Sequence, residues 1–349
     1  MTTMAKNKRQ GHRLSVCLAI PTYNREEFIV PALKRVFALN PRPREILVID
    51  QTPSYGESAS RFLEKARKEG RIRWIRQARP NISLARGRAV KETNCDVIIF
   101  IDDDVIPPRD LVRWHLLNYS DPTVDAVGVR VEQPDQSLFP HKGDYRTWPR
   151  LLDPVYFSFD SSKRVEGIAA FWGTSYSAKV KKLRDIGAYD VSYVGSARFE
   201  DADTAVRLWQ KGGKIVYDPR IRVRHLDAGA GGTRVQTRWR PFGEWLVSFS
   251  TNYFAFRYYF PSLFFWYMTL WDNVGRYACR TQNRVRPWRI PWALLAYGYS
   301  WIRAGWAAFG KESGKEANEK RGLKELRAFS GILVGRRLAR FFRWKIPML

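Results

Sequence analysis

Asp102-Asp103-Asp104 is the sharpest chemical feature of the sequence. Three adjacent carboxylates closing an apolar run repel one another, and a divalent cation such as Mg²⁺ or Mn²⁺ removes that cost, since both prefer oxygen ligands. In an extended segment Asp102 and Asp104 share one side while Asp103 points to the other. An acidic turn, or a helix start before Pro107-Pro108, is the plainer reading of the same residues. Glu200-Asp201 offers a second pair of carboxylates, off the apolar stripe of the helix that follows. Acids are also the ordinary dipole-favoured choice at a helix start. His225 is either a satisfied core histidine or an imidazole completing a carboxylate metal site. Arg86 opens a helical stretch and either meets a diphosphate or lies on a solvated face. Asp203 and Arg207 have the spacing of a structural i,i+4 ion pair.

These groups need elements to hold them. Residues 14–20, 46–49 and 97–101 are short, near-continuously apolar and β-rich, as strands buried on both faces are. Helical spacing fills the gaps, at 26–39, 58–68 and 83–93. Alternating strand and helix predicts an α/β fold with parallel strands. Each apolar run ends in polar residues: Pro21-Thr22-Tyr23-Asn24, Asp50, and the aspartate triplet. Ligands of open parallel sheets bind outside such strand ends. Residues 105–172 read as loops with mixed strands. Residues 178–186 and 199–210 read as helices, and 214–217 and 221–225 as two short strands.

The chain has 349 residues, 45% of them hydrophobic, enough for a large core, which excludes a disordered or collagen-like chain. Cys17, Cys95 and Cys279 form no CxxC pair, so neither a disulfide framework nor a cysteine zinc site is expected, and a reducing compartment is the default. The net charge is +26, and residues 231–349 hold 21 Lys and Arg against 6 Asp and Glu, more than half of the excess. Such a basic surface suits nucleic acid or anionic lipid. No nucleic-acid module is recognisable, and the aromatics sit in apolar blocks rather than singly among basic residues. No secretory signal is read in 1–20, because the apolar run is short and lacks a small-residue cleavage site. Residues 1–13 read as a basic arm.

The ordered set of motifs resembles the family 2 glycosyltransferases, with their GT-A fold. The resemblance covers roughly residues 14–233 and rests on Pro21-Thr22-Tyr23-Asn24-Arg25, Val48-Ile49-Asp50, Ser83-Leu84-Ala85-Arg86, Asp102-Asp103-Asp104, Trp172-Gly173-Thr174-Ser175, Gly187-Ala188-Tyr189-Asp190, Phe199-Glu200-Asp201-Ala202-Asp203 and His225. It implies a GT-A fold over 14–234, a Rossmann-like mixed sheet flanked by helices. It also implies inverting, Mn²⁺- or Mg²⁺-dependent transfer of a sugar from a nucleoside-diphosphate sugar. Pro21, Thr22, Tyr23, Asn24, Asp50, Arg86, Asp102, Asp103 and Gly173 would bind the nucleotide sugar, with Asp50 facing the base. Asp104, Asp102 and His225 would hold the metal, with Asp201 the catalytic base and Glu200 its alternate. Gln51 follows Asp50 where the family often has an acidic residue or Asn, which leaves the base identity open. A catalytically inactive glycan-binding relative and a nucleic-acid-binding protein are the alternatives.

Residues 235–349 read as a mostly helical, membrane-associating region. The stretch 258–271 is too short to span a bilayer, and 290–309 is interrupted by Arg303. Residues 326–344 place Leu326, Phe329, Leu333, Phe341 and Phe342 among five arginines, a pattern that suits the headgroup plane of anionic lipid. The expected partners are thus the donor, a lipid-linked glycan acceptor such as a polyprenyl-diphosphate glycan, and an anionic membrane surface, with no nucleic acid and a possible homo-oligomer. The expected place is the cytoplasmic face of the inner membrane, held peripherally or monotopically.

Overall fold

Every residue of the first strand, β1 (Val16–Thr22), is buried. Alternate side chains feed two separate layers: Cys17 and Ala19 join one core, and Val16, Leu18 and Ile20 the other. Burial on both faces is why the run is continuously apolar. The computed structural model describes residues 14–134, 149–228, 231–232, 245–266, 268–269 and 290–312. The basic arm at 1–13 and the arginine-rich segment at 326–344 lie outside these residues.

Among the described residues the sheet has nine strands. β2 (Glu45–Asp50), β3 (Arg73–Arg76), β4 (Val97–Ile101), β5 (Val105–Ile106), β6 (Val124–Glu132), β7 (Val165–Glu166), β8 (Ser175–Lys179) and β9 (Lys214–His225) follow β1. Their spatial order is β3-β2-β1-β4-β8-β6-β9-β5, with β7 also on β9. β3, β2, β1 and β4 are parallel, while β8 runs antiparallel to both β4 and β6. One face carries α1 (Glu26–Phe37), α2 (Glu57–Lys68) and α4 (Leu111–Asn118). The other carries α3 (Ile82–Glu92), the single turn α5 (Asp153–Tyr156), α6 (Val180–Asp185) and α7 (Glu200–Gln210). The chain is therefore α/β with the mixed, helix-flanked sheet expected of it.

Three expectations change. Within 105–172, read as loops with mixed strands, Leu111–Asn118 is the helix α4, formed where Leu111 and Val112 bury against the sheet. Residues 178–186 are not all helix: Ala178 and Lys179 finish β8, paired with Ile98 and Val97, and the helix starts at Val180. Burial of the alanine between two strands outweighs its helix propensity. Residues 214–217 and 221–225 are one strand, because its ladder with β6 shifts register between Asp218 and Arg222 and so accommodates Pro219.

The described C-terminal residues are mostly helical: α8 (Trp245–Tyr258), α9 (Leu263–Trp266) and α10 (Ile290–Glu312). α8 is clamped to α7 by a buried carboxylate. Asp203 accepts from Arg207 Nε at 2.7 Å, Arg257 Nη1 at 2.5 Å, and the hydroxyls of Tyr258 at 2.7 Å and Tyr193 at 3.3 Å. Arg257 also donates to Asp190 at 3.0 Å, as does the Tyr253 hydroxyl at 2.8 Å. The Asp203–Arg207 pair is the one its spacing predicted. No helix among the described residues is long and apolar enough to cross a membrane.

Replacing Arg257 by Met removes one cation from two buried carboxylates. The expected cost is about 3–5 kcal/mol. It should be read as a lower urea midpoint at unchanged slope.

Candidate active site

The parallel strands deliver their polar ends to one cleft of about 510 Å³, lined by Pro21, Thr22, Tyr23, Arg86, the three aspartates, Gly173, Glu200, Asp201 and His225. The triplet is not the extended segment expected of it: β4 ends at Ile101, and Asp103 and Asp104 form a turn whose two carboxyls meet one guanidinium, that of Arg25. The Asp103 carboxyl accepts from the Thr22 hydroxyl at 2.6 Å and from Arg25 Nη1 at 2.8 Å. Burial pushes it up to about 7, against the pull of Arg25. Asp104 lies 3.0 Å from the same guanidinium and accepts from the Ala228 N–H at 3.1 Å. Burial raises its carboxyl, but the hydrogen bond from His225 and the charge of Arg25 outweigh that and hold it at about 2.

His225 is placed by sheet register. Val105, one residue after Asp104, pairs with His225 across β5 and β9. A one-residue slip would turn the imidazole to the other face. Its Nε2 sits 3.3 Å from Asp104 Oδ1 and its Nδ1 is 2.9–3.1 Å from the Gln133 amide. Asp104 Oδ1 is buried without an aligned hydrogen bond. Ligand atoms of Asp102, Asp104 and His225 lie within 4.8 Å of one another. Two carboxylate oxygens and an imidazole nitrogen, with Asp104 Oδ1 buried and facing only the imidazole, fit a divalent cation that accepts O and N donors. Gln133 then supplies the outer contact that orients the imidazole.

Across the cleft, Arg86 is almost wholly buried. It donates to Asp102 Oδ1 at 3.2 Å, to the Gly173 carbonyl at 2.7 Å, and to Glu200. Burial pushes the Glu200 carboxyl up to about 8 while Arg86 pulls it down. The anions around Arg86 overcome its own burial and raise it. The direct contact of the guanidinium with the Glu200 carboxyl makes the two an ion pair. Asp201, half-buried, accepts from the Gly173 N–H at 2.5 Å and from the Ala202 N–H at 2.8 Å. A Cβ at Gly173 would meet Arg86 Nη1 at 2.8 Å and Asp201 Oδ2 at 3.0 Å, so a side chain there would push both groups off their hydrogen bonds. Phe199, which leads into α7, holds φ 71 and Ala197 φ 48. Such left-handed backbone at non-glycine residues concentrates at functional sites.

Not every expected residue meets the cleft. Asp50 is fully buried, and its two oxygens already accept Thr52 N–H, Tyr55 hydroxyl, Trp74 indole and Arg76. Four donors use a carboxylate's capacity, and Gln51 beside it lines the cleft instead. Asn24 turns with φ 51 and donates its N–H to Thr52 Oγ1. Sequence reasoning assigned no role to Arg25, Gln51, Gln133 or Asp227, which also line the cleft. Arg25 lies 78 residues before Asp103, so spacing gives no sign of their contact, and nothing local marks Gln133.

Residues 17–181 match the family model "Glycosyl transferase family 2". A type 2 glycosyltransferase of Zymoseptoria tritici is 24% identical over 256 residues, 69% of this chain and 50% of that protein. A pre-mycofactocin glycosyltransferase of Mycobacterium tuberculosis is 27% identical over 149 residues, 41% of this chain and 29% of that one. The chain thus spans half or less of the length of these curated relatives. Among solved structures, the mannosyltransferase PcManGT of Pyrobaculum calidifontis, in complex with GDP-Man and Mn²⁺, superposes with a TM-score of 0.51 at 18% identity, over 96% of this chain and 89% of that one. S. aureus TarS 1–349 with UDP-GlcNAc gives 0.54 at 12% identity, over 83% and 79%. The fold is that of the GT-A glycosyltransferases.

The geometry predicts Mn²⁺ affinity, readable by electron spin resonance. Asp104→Asn should abolish it, and Gln133→Leu should weaken it by about 10–100-fold. Burial lowers the His225 imidazole, but the hydrogen bond and charge of Asp104 win and raise it above its usual 6.5. Protons therefore compete with the cation below that raised value. Affinity should rise with pH through it, and a flat profile would exclude the imidazole as ligand.

Proposed function

We propose that this protein is an inverting, metal-dependent glycosyltransferase of the hexosyl-transferring kind. It moves a sugar from a nucleoside-diphosphate sugar to a hydroxyl of a lipid-linked glycan in polysaccharide biosynthesis. The observation that carries the reading is one cleft with two opposed functions. Asp102, Asp104 and His225 converge on one wall, and the Asp201 carboxylate is held by backbone N–H groups on the other. The family match over 17–181 supports it, and nucleotide sugars in the two solved structures agree in class.

In this mechanism the donor lies along the strand ends, its diphosphate toward Asp102 and Asp104. Bound between those carboxylates and His225, Mn²⁺ or Mg²⁺ would neutralise the charge growing on the departing diphosphate. Asp201 takes the proton of the acceptor hydroxyl. The freed oxygen forms its bond to the anomeric carbon from the face opposite the diphosphate. The carbon–diphosphate bond breaks with its electron pair leaving on phosphate oxygen, so the anomeric configuration inverts. The Gly173 N–H fixes the direction of the base, and Arg86 fixes Gly173. Glu200, bound to Arg86, orients the helix start rather than reaching the acceptor. The basic, aromatic C-terminal region places the cleft at an anionic membrane surface, on the cytoplasmic face of the inner membrane, where a lipid-linked acceptor is presented.

Asp201→Asn should bind the donor as the wild type does, because only the proton acceptor is lost. Transfer should fall by about 10²–10⁴-fold. The check is a nucleotide-sugar panel by thermal shift with Mn²⁺, followed by transfer and donor-hydrolysis assays on the donor that binds. Full transfer by the Asn variant would remove Asp201 from the role of base.

A further inference from the structure

The two faces of α10 differ in kind. Ala296, Ser300, Ala304 and Ala308 recur every fourth residue and are buried. That face lies on α8, with the Ser300 hydroxyl accepting from Ser248 at 2.9 Å and Asn252 at 3.3 Å. The opposite face carries Trp292, Leu295, Tyr299, Ile302, Trp306 and Phe309, spaced three or four residues apart and all exposed, Ile302 at 64% and Trp306 at 73%. The stripe is about 26 Å long at a helical rise of about 1.5 Å per residue. It continues onto other elements: exposed Phe260 meets the Phe309 ring at 5.5 Å, and Leu263 is exposed nearby in sequence. Large exposed apolar patches of this kind mark interaction surfaces.

We propose that this face of α10 is the surface on which the protein lies against an anionic bilayer leaflet, the helix axis parallel to the membrane plane. The inference deepens the membrane reading above and rests on it. Composition selects the occupant. Four of the six stripe residues are aromatic, and Trp and Tyr favour the zone between hydrocarbon and water. A seam between two copies wants branched aliphatic residues flanked by complementary charges. Here Arg303 is the sole charged residue from 291 to 310. It is exposed beside the stripe, where its stem can follow apolar surface while the guanidinium reaches a headgroup. The patch also extends beyond the helix to Phe260, in the turn after α8, which widens it beyond a single helical seam. The net charge of +26 attracts the whole molecule to an anionic leaflet.

The test uses the full chain, and a variant carrying Leu295→Ser, Ile302→Ser and Trp306→Ser, none of them on the buried face. Both are sedimented with phosphatidylcholine vesicles with and without phosphatidylglycerol. The wild type should pellet with the anionic vesicles, and the variant's partitioning should fall roughly tenfold or more, at an unchanged thermal midpoint and unchanged nucleotide-sugar binding. In a milder pair, brominated lipid should quench wild-type tryptophan fluorescence, and Trp306→Phe should remove part of that quenching. A triple variant that pellets like the wild type overturns the assignment of this face and leaves the membrane reading standing. A wild type that stays in the supernatant with both vesicles overturns the membrane reading and this inference together. A wild-type dimer by light scattering that the triple variant dissolves, with vesicle binding intact, assigns the face to a second copy and also overturns it.

Discussion

The site hangs on one buried guanidinium. Arg86 is reached by three segments far apart in sequence: the end of β4 through Asp102, the loop before β8 through the Gly173 carbonyl, and the start of α7 through Glu200. A guanidinium offers donors in fixed, diverging directions; an ammonium would bring the charge without the fork. The Tyr176 ring, 5.7 Å from its carbon, covers one flat side. Gly173 is bound at both ends of its peptide geometry, its carbonyl by Arg86 and its N–H by Asp201. The orientation of the proposed base is therefore two hydrogen bonds from Arg86. Loss of the arginine would leave Glu200 buried without its counter-charge, the costly half of a broken ion pair.

The same logic explains three aspartates in a row. Their repulsion has to be met at the cleft they line. The turn after β4 brings Asp103 to Thr22 and Arg25, and the same Arg25 nitrogen reaches on to Asp104. The middle carboxyl thus fixes a cation that steadies its neighbour. Gly231 closes over this arrangement. It holds φ 79, and an added Cβ would sit 2.5 Å from Arg25 Cγ and from the Asn24 carbonyl oxygen. A side chain at 231 would disturb the arginine and, through it, both carboxyls.

What could be read in advance follows from the range of the forces involved. The buried strands and the rim they share were legible because double-sided burial writes continuous apolar runs, and polar strand ends interrupt them. The helical C-terminal region was legible as a change of composition. The surroundings of Asp50 were not, because its donors Trp74 and Arg76 come from the neighbouring strand β3. Gln133 was hidden for the same reason: only the pairing of β6 with β9 brings it to His225. Spacing showed the local half of the Asp203 cluster, Arg207, and could not show Arg257 and Tyr258, some fifty residues away along the chain.

That cluster bears on how such proteins can be recombined. The change in composition near residue 234 looks like a seam at which a catalytic module ends and a separate appendage starts. Yet Asp190 and Asp203 belong to one side of the seam, and Arg257, Tyr253 and Tyr258, which bind them in addition to Arg207 and Tyr193, belong to the other. A chimera joined at that point keeps Arg207 beside Asp203 but loses Arg257, the cation shared by both interior anions. The tail is thus not portable cargo: any replacement must bring its own cation and hydroxyls to the back of α7, or that helix loses its footing.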